Sequence, residues 1–195
     1  MTCAEDEDAL FTAIARSTRL HVLIWSNCSP FAEAGVNVLD MRPLLSVLGD
    51  NHPSLAHLDL SGARLDIPSN RRALITKLPK LHSLRRLELR HVSLVLRGVE
   101  AWETSGPQQS SADCGPRELM QTIVELCKLQ ELDLSGNIIS LEGCGILETC
   151  AENGFLAELQ SLKLRAAQLD DTCALRLARM LAHLKGCSLV KAKAY

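Results

Sequence analysis

Six times along the chain a leucine is followed three and five residues later by another apolar residue, and that spacing constrains the fold more than any other feature. The pattern L-x-x-L-x-L stands at Leu55-Leu58-Leu60, Leu84-Leu87-Leu89, Leu129-Leu132-Leu134 and Leu159-Leu162-Leu164. A variant, Leu20-Leu23-Trp25, precedes these copies, and a worn copy, Leu184-Cys187-Leu189, closes the series. The first leucines are separated by 35, 29, 45, 30 and 25 residues. Self-similarity at such a period marks one supersecondary unit used repeatedly. Composition agrees: 36 of the 195 residues are leucine and aromatics make up 3%, so aliphatic packing must stabilise almost everything.

Within each unit the apolar period changes. Leu-x-Leu has the two-residue period of a short strand with one buried face. Beyond it the spacing becomes three and four, as in Leu74, Ile75, Leu78 and Leu81, or Leu119, Ile123 and Leu126. That is the apolar stripe of a helix. A strand and helix joined by short loops cannot bury both apolar faces alone, whereas stacked units bury one continuous core. The best copy, LQELDLSGNIISLEGCGILETC, runs from Leu129 to Cys150 and places Asn137 just after its strand. There a side-chain amide can bond backbone groups of neighbouring units; Cys28, Ala63, Val92 and Ala167 hold the equivalent places.

On these residues the chain resembles leucine-rich-repeat proteins of the ribonuclease-inhibitor-like type. The resemblance implies an α/β solenoid, a short curved arc with a parallel sheet on the concave side and helices on the convex side. The expected organisation is a single domain over residues 1–195, with a capping helix at 6–17. Strands are expected near 20–25, 55–60, 84–89, 129–134, 159–164 and 187–189. Pro116 suits the first turn of the fourth helix, and Asp170 or Asp171 the N-cap of the last.

The 45-residue step exceeds a 29-residue unit by 16, and the excess is RGVEAWETSGPQQSSADCG, about 97–115. It is rich in Gly, Pro, Ser and Gln and carries Trp102. Loops of that length are either functional or disordered.

Chemistry is sparse. No glycine spacing fits a phosphate-cradling loop. The histidines at 21, 52, 57, 82, 91 and 183 are scattered, and the cysteines show no zinc spacing. We therefore expect no catalytic residues, no cofactor and no metal. The eight cysteines read as reduced, buried, small hydrophobes. A formal net charge of -2 argues against nucleic-acid binding by bulk electrostatics. The N-terminus, MTCAEDEDALFTAIARSTRL, is acidic at its start and lacks a basic segment followed by an apolar run. The expectation is an intracellular, cytoplasmic protein with no membrane partner, the nucleus or cilium being alternatives.

What remains is the sheet face opposite the leucines. Its outward positions are Val22 and Ile24, His57 and Asp59, Arg86, Glu88 and Arg90, Glu131 and Asp133, then Lys163 and Arg165. The face grades from apolar through acidic, interspersed with arginine, to basic. We expect these residues, or Trp102 in the insertion, to bind another protein through a peptide-like or helical segment. The implied function is a non-catalytic interaction module, an adaptor or a subunit of a larger complex; oligomeric state is left open. Two alternatives stand beside it: a regulator of a small GTPase of the Ran-activator kind, which the resemblance suggests, and a structural subunit of a ribonucleoprotein or ciliary assembly.

Overall fold

A computed structural model of the chain describes residues 3–26, 41–48, 52–93, 95–96, 116–167, 169–184 and 186–190. The insertion at 97–115, with Trp102, lies outside the described residues.

Helix α1 (Cys3–Arg16) comes first, then strand β1 (Val22–Ile24) and helix α2 (Arg42–Val47). Strand β2 (His57–Asp59) is followed by helix α3 (Pro68–Lys77), which ends in a 3-10 turn, Leu78–Lys80. Strand β3 (Arg86–Glu88), the two-residue strand β4 (Val95–Leu96) and helix α4 (Pro116–Val124) come next. Strand β5 (Glu131–Asp133), the short β6 (Ile138–Ile139) and helix α5 (Leu141–Glu152) form the best copy of the unit. Strand β7 (Ser161–Lys163), helix α6 (Asp171–His183) and strand β8 (Ser188–Val190) complete the described elements.

The main sheet has six strands in the order β1-β2-β3-β5-β7-β8. Every pair is parallel and in step, so Leu23, Leu58, Leu87, Leu132, Leu162 and Leu189 form one row. Parallel strands need a crossover between them, and from β2 to β8 each crossover carries a helix. β4 and β6 pair parallel in a second, two-stranded sheet that the leucine spacing does not announce.

The strands are shorter than their motifs. Each motif contributes three residues of regular strand because the flanking leucines, such as Leu55 and Leu60, turn into the core at 0% exposure. Interstrand bonding continues past the strand ends all the same, with Leu60 N–H donating to the Glu88 carbonyl at 2.9 Å. The capping helix begins and ends earlier than expected, at Cys3–Arg16 rather than 6–17. Its anchor is His52, fully buried, whose Nε2 donates to the Ile14 carbonyl at 2.7 Å.

Asn137 does what its position suggests. Its Oδ1 accepts from Val92 N–H at 3.1 Å, and its Nδ2 donates to the carbonyls of Leu89 and Leu134 at 2.7 and 2.9 Å. Asn70, on α3, links an earlier pair of segments, accepting from Met41 N–H at 3.0 Å and donating to the Arg64 carbonyl at 3.1 Å. Asp170 caps α6 by accepting from Cys173 N–H at 2.7 Å. The Thr172 hydroxyl and that amide hold its carboxyl down to about 2. Among the described cysteines Cys127 is exposed and Cys187 half-buried, against expectation, whereas Cys144, Cys150 and Cys173 are buried. Cys127 sits in the turn after α4, at a polar position between Leu126 and Leu129.

Four equivalent positions after the strands share a left-handed backbone: Gly62 at φ 81°, His91 at 52°, Gly136 at 72° and Ala166 at 52°. Two of the four are not glycine. A Cβ at Gly136 would fall 2.2 Å from the His91 ring. Gly136→Ala should therefore destabilise by about 1–2 kcal/mol, through left-handed strain plus displacement of that ring. Ala166→Gly relieves the same strain against a gain in unfolded-state freedom, so it should stabilise by about 0.5 kcal/mol. Urea denaturation of both variants checks the signs; two shifts of the same sign would contradict the account.

Candidate interaction face

On β2 the sequence His57-Leu58-Asp59 puts Leu58 into the core and its two neighbours on the opposite face. The same holds on β1, β3, β5 and β7, and the backbone register, which continues to β8, turns these neighbours into two rows. One runs Val22, His57, Arg86, Glu131, Ser161, Ser188; the other runs Ile24, Asp59, Glu88, Asp133, Lys163, Val190. Val22, Ile24, His57, Asp59, Arg86, Glu88, Glu131, Asp133 and Lys163 thus stand in these rows, Arg90 and Arg165 follow β3 and β7 by two residues, and Trp102 lies outside the described residues.

At the β1 end Val22 and Ile24 are 50% and 59% exposed, large apolar side chains in solvent. Trp25, at an inward leucine position, stacks at 5.9 Å from the Phe11 ring of α1 and is part of the core margin.

The acidic centre corrects the sequence reading. Asp59, Glu88 and Asp133 were expected to face solvent, but their side chains are only 6%, 7% and 9% exposed. They lie under Arg86 of β3 and Arg90, two residues beyond its end. Glu88 Oε1 accepts from His57 Nε2 at 3.1 Å and from Arg86 Nε at 2.8 Å, while Arg90 Nη2 reaches Oε2 at 3.0 Å. Arg90 spans three strands: its Nη2 also lies 3.5 Å from Asp59 Oδ2, and its Nε lies 3.9 Å from Asp133 Oδ2. Charges of opposite sign this close, with little water between them, interact more strongly than exposed pairs do. Burial alone would lower the Arg86 pKa, but the hydrogen bond to Glu88 and the nearby carboxylates raise it above its ordinary value.

A repeated local device fixes the two aspartates. In both Asp59-Leu60-Ser61 and Asp133-Leu134-Ser135 the Oδ1 accepts from the serine N–H, at 2.9 and 3.0 Å. This is the turn that aspartate forms with its own backbone two residues on. Each serine hydroxyl then accepts from the next unit, Ser61 from Arg90 N–H at 3.3 Å and Ser135 from Arg165 N–H at 3.1 Å. The sequence did carry a signal for these serines: the pentapeptide LDLSG occurs twice, at 58–62 and 132–136.

Toward β7 the face opens again. Glu131 is 40% exposed and lies 3.4 Å from Arg86 Nη1 and 3.8 Å from Lys163 Nζ. Arg165 is exposed, and its guanidinium meets no carboxylate among the described residues.

Among the described residues of this face no hydrogen bond pairs a nucleophile with a base. Burial pushes the thiol pKa values of Cys144, Cys150 and Cys173 up, which keeps them protonated and poor nucleophiles. A surface cleft of about 420 Å³ brings His82 and Cys127 together, yet no hydrogen bond joins them. Among the described residues no three His, Cys, Asp or Glu are placed to hold a metal ion, and no helix is long and apolar enough to cross a membrane. No protein-family model and no curated protein matches the chain.

Proposed function

We propose that the chain is a non-catalytic protein-binding module of leucine-rich-repeat type, an adaptor or a subunit of a larger complex. In this reading the parallel sheet lines the concave side of a short solenoid and the helices form its convex side. Its support is the in-step row of leucines, five of them buried from Leu23 to Leu162, the Asn137 bridge between units and the four left-handed positions at matching places. The single observation carrying the function is the sheet face that no described residue covers, with Val22 and Ile24 in solvent at one end and exposed guanidinium groups beyond. Contiguous apolar exposure beside polar groups marks interaction sites, and open faces of stacked units are the binding surfaces of such folds. A reducing compartment fits the unpaired thiols of the core.

Quantitative affinity purification of tagged wild type and variants tests this. A partner recovered with wild type should fall by about fivefold or more with Val22→Asp plus Ile24→Asp, the loss expected when an apolar anchor worth over about 1 kcal/mol is removed. Leu175→Asp on α6, where the leucine is 54% exposed on the helical side, should leave recovery unchanged. Loss with Leu175→Asp and retention with the β1 variant would move the interface to the helices and end this reading.

A further inference from the structure

We propose that the open face takes an acidic peptide segment, with an apolar side chain seated on Val22 and Ile24 and carboxylates on Arg90, Lys163 and Arg165. This rests on the preceding reading of the face as a binding surface and names what it binds.

The argument is one of depth. By formal count the face balances, with four carboxylates (Asp59, Glu88, Glu131, Asp133) and four cations (Arg86, Arg90, Lys163, Arg165). The two signs do not lie at the same level. The three central carboxylates are 6–9% exposed, while Arg86 and Arg90 above them are 38% and 44% exposed. A partner touching the centre of the face meets guanidinium edges and not carboxylates. Arg90 engages Asp59, Glu88 and Ser61 through Nε and Nη2, so Nη1 is not used in these contacts. Farther along, Arg165 meets no carboxylate among the described residues, and Glu131, the exposed acid of the two rows, is already flanked by Arg86 and Lys163. Guanidinium groups present paired donors that match carboxylate geometry. Because the charges cancel overall, the preference is set by contact and not by a long-range field.

Spacing makes the proposal specific. Strands lie about 4.8 Å apart, so β3 is about 10 Å from β1 and β7 about 19 Å, while an extended peptide advances about 3.3 Å per residue. A segment crossing the strands from an apolar anchor over Val22 and Ile24 places its third following residue near Arg90 and its sixth near Lys163 and Arg165.

A fluorescein-labelled peptide, Leu-Gly-Ser-Asp-Gly-Ser-Glu, is the probe, with a second peptide carrying lysine for both acids and an oligouridylate of similar length as comparisons. Fluorescence anisotropy at low salt should show the acidic peptide binding about tenfold more tightly than the lysine peptide or the RNA, a difference of about 1.4 kcal/mol. Arg165→Glu should weaken it about fivefold with an unchanged melting temperature, and Ile24→Ser should weaken it similarly. Equal binding of the two peptides, tighter binding of the RNA, or indifference to Arg165→Glu would overturn the proposal. Should the acidic peptide fail while the captured partner still depends on Val22 and Ile24, the binding module stands and its acidic occupant falls. Acidic-peptide binding that survives the β1 variants would refute the anchor.

Discussion

Replacing Glu88 and Asp133 together by lysine is expected to remove most of the stability of this chain. From strand alternation both side chains belong on the solvent face, where a reversed charge would be tolerated. They are instead buried beneath Arg86 and Arg90. Lysine at either place sets an ammonium beside the Arg90 guanidinium; at Glu88 it also removes the acceptor for His57 and Arg86, and at Asp133 the acceptor for Ser135 N–H. Breaking a buried charge pair by altering one partner costs about 3–5 kcal/mol, and two such changes approach the whole of a typical 5–15 kcal/mol. Urea unfolding followed by far-ultraviolet circular dichroism would show a midpoint far below wild type, or no folded baseline at all. Arg86→Ala is the contrast: a 38% exposed partner whose removal leaves Glu88 paired to Arg90 should cost near ~1 kcal/mol. A cooperative transition at the wild-type midpoint for the double reversal would mean that the arginines do not cover these acids in solution. Ile24 and Arg165 are exposed, so they test binding without this confusion of stability with contact.

That correction shows what alternation encodes and what it does not. A two-residue period says which side of a sheet a residue takes, and it placed Leu58, Leu87, Leu132 and Leu162 in the core and Asp59, Glu88 and Asp133 opposite. It says nothing of depth. Depth on the open face depends on how far Arg90 reaches across β2 and β5, a property of side-chain length and register between units 29 to 45 residues apart. The left-handed slots were half legible: glycine marks Gly62 and Gly136, while His91 and Ala166 occupy the same conformation without the residue that signals it. The bridge made by Asn137 could be read from its place after the strand, whereas Asn70 lies inside a helix and gives no such signal. The β4–β6 ladder is two residues long, too short for any period to announce.

Leu132→Ala should destabilise by about 2–5 kcal/mol, through lost burial and the cavity left behind. Leu132 is 1% exposed and stands in register between Leu87 and Leu162, both at 0%. The surrounding row is in regular strand and helix, so it cannot collapse freely into the space. Leu23→Ala offers the comparison. That leucine is 8% exposed and β1 pairs with β2 alone, so its loss removes fewer contacts and leaves the other strands paired. If stability is carried from neighbour to neighbour, as stacked units require, the two truncations differ in kind as well as size. A gap on β5, fourth of six strands, separates β1–β3 from β7–β8. Urea unfolding of Leu132→Ala should then show a lower midpoint together with a shallower slope, the sign that unfolding has ceased to be one transition. Leu23→Ala should lower the midpoint less and keep the slope. The reverse order, with the edge leucine costing more than the central one, would mean that the stabilising centre lies at the α1 end, where His52 and Phe11 hold the helix to the sheet.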